Sequence, residues 1–414
     1  MSENPKTLGR RSFIKSGLIG AAGFGTLSSL PSALTAGQKP FTAPAGNAKA
    51  SGFITRKLGK TGVTLPIVSM GVMNSNNENL IKAALDAGIV HLDTANGYQR
   101  GTNEGIIGKV LQGRPRDSYF LATKVPGEPR DRMTGNFSPE TSAETWLKSF
   151  DVSLQRLGLD YVDIIYLHNV QTREATLFEP LLKALESVKK AGKARFIGVT
   201  SHRNEQDVVR AAIESKLYEV VLVGYNFRKT NLAELDAAIA DAVKLGIGII
   251  AMKTLAGGYW DDRARTQPIN VKAALKWALS NPNITTAIPG MTSFDQLELN
   301  MQVMKDTKLT DQEKADLKLG EPQAAGGFYC QGCNECSGQC PKNLPIPSLM
   351  RGYMYAYGYR NLGEAYDLVS SLGVSESPCA DCSHCAVKCA MGFDVRERAT
   401  LLARLQAAPA ELFG

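Results

Sequence analysis

An α/β fold is predicted, a (β/α)8 TIM barrel followed by a small, mainly helical domain. Three observations lead there. Eight short β-branched runs recur between residues 66 and 288, most followed by an amphipathic stretch of helical period. The runs are almost continuously apolar, as strands of a parallel sheet covered by helices must be. All eight cysteines lie between Cys330 and Cys389, so one small segment uses every thiol for one purpose. A barrel needs about 250 residues. The 414-residue chain therefore divides into a leader and linker (1–50), a barrel (51–320) and a tail domain (321–414).

The first fifty residues hold six Lys or Arg and a single acid, Glu3, which leaves 41 basic against 39 acidic residues in the body. The basic excess therefore belongs mostly to the leader, and the body has no charge run of the kind nucleic-acid binding requires. Arg10-Arg11-Ser12-Phe13-Ile14-Lys15 precedes a Gly/Ser/Ala-rich apolar stretch, Ser16–Leu30, and then a Pro/Ala/Thr/Gly linker. Charged segment, apolar segment and small residues make the layout of a signal peptide. The Arg pair with Phe-Ile-Lys resembles the twin-arginine type, which implies the twin-arginine translocase as a partner and a periplasmic or otherwise exported protein. The apolar run is too short and too rich in Gly and Ser for the roughly 20 residues a membrane span takes.

The eight runs are Pro66–Met70, Ile89–Leu92, Tyr119–Thr123, Tyr161–Leu167, Ala194–Val199, Val220–Val223, Ile247–Ala251 and Thr285–Ile288. Between them, Asn79–Ala87, Ser138–Leu157, Glu179–Ala191, Glu205–Ser215, Leu232–Leu245 and Val271–Leu279 read as helices. Ahead of them, Phe53–Leu65, with Lys60-Thr61-Gly62 at its turn, reads as a hairpin capping the barrel bottom. Chemistry in such a barrel sits at the C-terminal ends of the strands. Asp93 and Tyr98 follow the second run, Lys124 the third and His168 the fourth. A carboxylate, a phenol, an amine and an imidazole on one rim form an acid–base set. The Lys124 ammonium is expected to lower the Tyr98 pKa, Asp93 to hold the ammonium, and His168 to orient a substrate oxygen. Singly, each is as readily a satisfied structural polar group.

His91-Leu92-Asp93-Thr94-Ala95-Asn96-Gly97-Tyr98, followed by Asn103-Glu104 and Ile107-Gly108, resembles the signature of the aldo/keto reductases. Ala122-Thr123-Lys124-Val125, Leu157–His168, Ile197–Ser201 and Ile288-Pro289-Gly290 continue the resemblance over roughly residues 53–305. It implies hydride exchange between a nicotinamide cofactor, NAD(P)(H), and a small-molecule carbonyl or alcohol substrate. Tyr98 would donate the proton, tuned by Lys124 and Asp93, with His168 orienting the carbonyl. It implies cofactor contacts at Thr200, Ser201, Leu255, Gly257, Ser293 and Asn300, with Leu255-Ala256-Gly257-Gly258 resembling the pyrophosphate loop. The chain departs from the family where Leu222 and Met252 replace the usual Gln and Tyr. It departs again where Gly290 and Gln296 replace the Lys and Arg that grip a 2′-phosphate, a loss that favours NAD over NADP, although other basic residues such as Lys253 or Arg228 could compensate. Substrate-pocket walls are expected on Glu128–Phe137, Tyr225–Thr230 and Tyr259–Thr266, with Arg130, Arg132 and Arg263 as anion-facing candidates.

Beyond a Pro/Gly/Ala linker, Glu321–Gly327, come Cys330-x2-Cys333-x2-Cys336-x3-Cys340-Pro341 and Cys379-x2-Cys382-x2-Cys385-x3-Cys389. This is the bacterial ferredoxin spacing, twice, in which three thiolates wrap one cubane and the fourth ligates the other. Two [4Fe–4S] clusters are expected. Structural zinc uses paired C-x2-C knuckles instead, and a disulfide framework would spread its cysteines across the chain. The stretch between the runs looks helical over Ser348–Tyr359 and Leu362–Ser371, resembling a helical dicluster ferredoxin domain. His384 reads as a neighbour of the thiols, and Ala390 stands where the first run has Pro. Two mechanisms fit: clusters that relay electrons to a redox partner protein, or clusters that fix the tail against the barrel mouth. The alternative is an iron–sulfur electron-transfer or binding protein on a barrel without conventional nicotinamide binding.

Overall fold

The computed structural model describes residues 52–131, 133–257, 269–318 and 327–413. The leader with its Arg pair, Arg132, Gly258, the 259–266 loop with Arg263, and all but the last residue of the 321–327 linker lie outside the described residues.

The chain opens on an antiparallel hairpin, Thr55–Lys57 (β1) with Thr64–Pro66 (β2), Arg56 facing Leu65. It plugs the barrel bottom. Leu58 is fully buried among inward-facing strand residues, and Lys60 N donates to Gly246 O at 2.7 Å. Gly59 must be glycine, because its φ is +52° and a Cβ would lie 2.3 Å from Gly246 O.

Strands and helices then alternate: Met70–Gly71 (β3), Glu78–Asp86 (α1), His91–Asp93 (β4), Thr102–Leu111 (α2), Phe120–Pro126 (β5) and Ala143–Leu157 (α3). Val162–His168 (β6), Glu179–Lys190 (α4), Ala194–Ser201 (β7), Glu205–Ser215 (α5) and Val220–Gly224 (β8) follow. Leu232–Lys244 (α6), Gly248–Met252 (β9), Val271–Ser280 (α7), Thr286–Ala287 (β10) and Phe294–Val303 (α8) complete the set. Strands β3 to β10 pair parallel in sequence order. Bridges at Val68–Ala287 and Gly71–Gly290 join the last strand to the first, closing the ring. All eight expected strands are present. The helix expected from Ser138 begins only at Ala143, because the Ser142 side chain accepts from Thr145 N as an N-cap. It ends at Gly158 in the left-handed conformation.

Two apolar layers hold the barrel. Leu65, Phe120, Ile164, Tyr166, Val220, Leu222 and Ile250 fill its interior, and a larger layer packs strands against helices. Gly108 allows α2 to lie directly on the end of α3, since a Cβ there would sit 2.7 Å from Leu157 O.

The tail is helical. Ile346–Tyr353 (α9) runs on through one π turn, Met354–Gly358, followed by Leu362–Ser371 (α10) and Val395–Ala403 (α11). The last helix, capped by Asp394, was not expected. Leu349, Met350, Val369, Ala399 and Leu402 form the tail core, which is continuous with Phe227, Ala256, Ala273 and Ala274 of the barrel. Polar contacts fix the tail over the C-terminal ends of the strands. Arg351 Nη1 donates to Asn169 Oδ1 at 3.0 Å, Asn361 Nδ2 to Asn74 Oδ1 at 2.7 Å, and Arg100 Nε to Asp367 Oδ1 at 3.1 Å. No described helix is long and apolar enough to cross a membrane.

Candidate functional site

Four polar residues converge where the barrel opens. Asp93 ends β4, Lys124 lies within β5, and both are 1% exposed. Lys124 Nζ donates to Asp93 Oδ1, to Thr94 O at 2.6 Å and to Tyr98 Oη at 3.4 Å. His168 ends β6 and faces Tyr98 edge-on, ring centroids 6.1 Å apart. Tyr98 is aimed by a tight turn in which Gln99 and Arg100 have positive φ. That turn is tied down by Asn96 Nδ2, which donates to Ser153 Oγ at 2.9 Å and Ser149 O at 3.1 Å.

Asn103 and Glu104 of the signature segment are buried struts for this turn. Asn103 Nδ2 donates to Val72 O at 2.9 Å and Ser75 O at 3.0 Å, and its Oδ1 accepts from Thr94 Oγ1 at 2.6 Å. Glu104 accepts from Thr123 Oγ1 at 2.6 Å and pairs with Arg156 at 3.4 Å. His91 is structural, its pKa pushed down to about 3 by burial and then by Lys124.

Electrostatics correct one expectation. The Tyr98 hydroxyl is held well above the ordinary phenol range, by burial first and then by Asp93, Glu364, Tyr355 and Tyr359. Lys124, 3.4 Å away, does not bring it down, because burial and these four neighbours outweigh the ammonium. Tyr98 therefore keeps its proton at physiological pH and can give it. His168 is held well below the usual histidine range by burial, then by Lys124, Arg130, Arg351 and Lys253. It is neutral, with one ring nitrogen free to donate and the other to accept. Burial drives Asp93 upward and Lys124 downward, each resisted by the other's charge.

Three of the four, all but Lys124, line a cavity of about 1130 Å³, counting its open mouth. Asp93, Tyr98 and His168 share it with His202, Met252, Lys253, Leu255, Gly290 and Gln296 of the barrel. Its roof comes from the tail: Arg351, Tyr355, Tyr359, Glu364 and Leu368. Of the loops expected to form the walls, the two that are described are used elsewhere. Arg130 is spent on Glu128, Asn169 O at 2.8 Å and Gly127 O at 2.9 Å. In Tyr225–Thr230 the main chain of Thr230 and its Oγ1 donate to Gln331 Oε1, at 2.7 and 2.9 Å, so that this loop holds the tail. Local sequence does not reveal which distant segment crosses a barrel mouth. The cluster Tyr353, Tyr355, Tyr357 and Tyr359 behind Arg351 was the available signal.

Of the expected cofactor contacts, Leu255 lines the cavity, and Thr200, Ser201, Gly257, Ser293 and Asn300 do not. Thr200 Oγ1 accepts from Asn169 N at 2.7 Å, bracing the turn behind His168. Ser201 Oγ donates to Arg203 O at 2.6 Å. Ser293 caps α8. Gly257 lies under the tail, where a Cβ would sit 3.0 Å from Tyr329 N and 3.2 Å from Met354 Sδ. Two features suit a dinucleotide. Asn300 is fully buried with neither amide atom partnered, and a Cβ on Gly290 would meet only Gly71 O at 3.8 Å, leaving space beside the backbone. Leu222 is sealed in the barrel interior and offers a carboxamide nothing.

All eight cysteines are free thiols, and among the described residues no three His, Cys, Asp or Glu side chains converge closely enough to hold a metal ion. They nevertheless sort into two sets of four. Burial pushes Cys336 up to about 11, helped by Cys330, Cys333 and Cys389, and burial also raises Cys330 and Cys333, where Cys389 again contributes. Cys379 is influenced by Cys382, Cys385 and Cys340. Those four border a pocket of about 400 Å³. Each run thus sends its fourth thiol to the other's three. Around the first set stand two guanidiniums with an unpartnered buried N–H each, Arg203 Nε and Arg398 Nη1. Both feel the charge of Cys330, and Arg203 packs along the backbone of Gly332. Orphaned cationic donors beside four thiols fit an anionic iron–sulfur group better than they fit empty space.

Comparison with known proteins agrees with this geometry. A model of the aldo/keto reductase family matches residues 62–273. L-glyceraldehyde 3-phosphate reductase of Escherichia coli K12 is 26% identical over 319 residues, covering 63% of this chain and 90% of that protein. L-galactose dehydrogenase of Arabidopsis thaliana is 27% identical over 288 residues, covering 61% and 88%. An aldo-keto reductase from Bacillus halodurans, solved in its holo form, superposes with a TM-score of 0.53 at 24% identity, covering 68% of this chain and 99% of that one.

Proposed function

The chain belongs to the aldo/keto reductase family, an NAD(P)-dependent oxidoreductase, and we propose that it interconverts a carbonyl and an alcohol at Asp93, Tyr98, Lys124 and His168. The observation that carries this is the Lys124 ammonium bonded at once to Asp93 and Tyr98, directly behind a cavity that Asp93, Tyr98 and a neutral His168 line together. A nicotinamide dinucleotide, when bound, supplies or accepts the hydride. Asn300 would hold its adenine end, and Leu255 and Gly290 would border its path through the cavity. His168 donates a hydrogen bond to the carbonyl oxygen and sets its direction. Tyr98 gives its proton to that oxygen as negative charge develops there. Lys124, 3.4 Å away, stabilises the resulting phenolate, and Asp93 keeps the ammonium in place.

The same proposal takes Cys330, Cys333, Cys336 and Cys389 as the ligands of one [4Fe–4S] cluster, and Cys340, Cys379, Cys382 and Cys385 as those of a second. Such clusters supply one-electron chemistry when bound, and each crosslinks two parts of the tail. The Arg10-Arg11 leader supports export of the folded protein by the twin-arginine route, with the clusters already in place. Two curated relatives are named for sugar-like substrates, which supports a small hydroxylated aldehyde or ketone.

The test is titration of anaerobically purified protein with NADH and NADPH, followed by turnover of glyceraldehyde by wild type and Tyr98→Phe. Dinucleotide binding by both proteins, with turnover lost in the variant by about 10²–10⁴-fold, is expected. Absence of dinucleotide binding would overturn the reading in favour of an iron–sulfur binding or electron-transfer protein on a barrel.

A further inference from the structure

The roof of the cavity carries charge that the tetrad does not use. Arg351, on α9, forms one hydrogen bond, from Nη1 to Asn169 Oδ1 at 3.0 Å, and its buried Nε has no partner. Lys253 follows β9 with φ +59° and lines the same cavity. Its ammonium stands over the rings of Tyr355 and Tyr359, 5.1 and 4.8 Å from their centroids. Among the described residues neither cation is in a salt bridge, although Glu364 shares the roof and its field reaches both. The Arg351 charge is felt across the cavity, depressing the pKa values of His168, His202 and Lys253. Asn169, which holds Arg351, is the residue after His168, so the guanidinium is anchored beside the group that orients the carbonyl.

We propose that Arg351 and Lys253 form an anion clamp over the reacting centre, so that the substrate is a small carbonyl or alcohol compound bearing a carboxylate or a phosphate. An unpartnered N–H on a desolvated guanidinium leaves a hydrogen-bond and charge deficit, and a planar or tetrahedral oxyanion corrects both at once. The two tyrosines fix the ammonium without neutralising it. Since Arg351 lies in the tail, the tail selects the substrate and the barrel performs the chemistry. This rests on the carbonyl–alcohol reading of the barrel.

The experiment uses the full chain with its metal complement and the dinucleotide it accepts. Two matched pairs are compared by kcat/KM: glyoxylate with glycolaldehyde, and glyceraldehyde 3-phosphate with glyceraldehyde. The charged member of at least one pair is expected to be preferred at least tenfold, and which pair shows it separates carboxylate from phosphate. Arg351→Gln is expected to reduce that preference to about twofold or less, with Arg351→Lys recovering part of it. Lys253→Met, which leaves the Arg351–Asn169 hydrogen bond in place, gives an independent reduction. No preference in the wild type, or a preference unchanged in both Arg351→Gln and Lys253→Met, overturns the clamp. If no pair is turned over, the carbonyl–alcohol reading fails. The clamp is then read by titration calorimetry with glyoxylate and with inorganic phosphate: at least tenfold weaker binding of either by Arg351→Gln supports it, and equal binding overturns it.

Discussion

Replacing Lys124 by methionine keeps the volume and removes the charge. Asp93 is 1% exposed, its Oδ2 has no partner, and its Oδ1 would lose the Lys124 bond. A lone carboxylate cannot stay charged there, and it neutralises instead. Taking a proton at pH 7 against an ordinary Asp pKa near 3.9 costs up to about 4 kcal/mol, at ~1.36 kcal/mol per pH unit. That sum is the ceiling for destabilisation of Lys124→Met at neutral pH, in the range for a buried pair that loses one partner, about 3–5 kcal/mol. The sign fixes the pH dependence. In the variant the folded-state pKa of Asp93 is raised, so its share of stability is whole below about pH 3.9 and is lost as pH rises toward the folded value. The penalty should therefore shrink by about 2.7 kcal/mol between pH 7 and pH 5. Adding Asp93→Asn removes the stranded charge, and the double variant should be more stable than Lys124→Met at pH 7. Urea unfolding of the three variants and wild type at pH 5, 6 and 7 reads all of this. A Lys124→Met penalty under 1 kcal/mol, flat in pH, would refute the picture of a desolvated pair.

Four further outcomes follow from other parts of the molecule. Lys253 is lowered to about 7 by burial and by Arg351 and Lys124, against the pull of Glu364. It is charged below that pH, so kcat/KM for glyoxylate should rise as pH falls through about 7, and Lys253→Met should flatten the rise. The same shift makes the folded protein gain stability with pH between about 7 and 10.5, which thermal unfolding of wild type against Lys253→Met detects. Gly108→Ala would press a methyl to 2.7 Å from Leu157 O and 2.9 Å from Arg156 O, costing about 1–3 kcal/mol in urea unfolding. Arg203→Gln removes a cationic donor beside Cys330 and Cys336, so, on the proposed cluster assignment, an electron-paramagnetic-resonance titration should show one cluster becoming harder to reduce and the other unmoved.

The barrel was legible because its strands are buried on both faces: a run such as Val220–Val223 has no polar residue to confuse with a loop. The tetrad was legible because a parallel barrel places strand ends on one rim, so Asp93, Lys124 and His168 needed only their positions after apolar runs. The direction of the Tyr98 shift was not legible. It depends on the burial of the hydroxyl and on Glu364, Tyr355 and Tyr359, which approach from more than 250 residues away. The cavity roof was hidden for the same reason. The helical period of Ser348–Tyr359 predicts a helix, yet it does not say that Arg351 and Tyr355 face the mouth of another domain. In the sequence Lys253 reads only as a basic residue able to replace the missing phosphate clamp, and its place in the cavity follows from a left-handed backbone that no Lys–Thr sequence announces. The thiol spacing was legible as two runs. That each run lends its fourth thiol to the other is supported by the electrostatic grouping of Cys389 with Cys330 and of Cys340 with Cys379.

The central claim is that Tyr98 protonates a carbonyl while a nicotinamide delivers hydride in this cavity. The most direct measurement supplies C4-deuterated NADH or NADPH and glyceraldehyde to the anaerobically purified full chain, then locates the label by mass spectrometry. Deuterium on the alcohol carbon of the product with wild type, and its loss with Tyr98→Phe while dinucleotide still binds, is the predicted result. Product formed without the label, or equal labelling by Tyr98→Phe, would contradict the account.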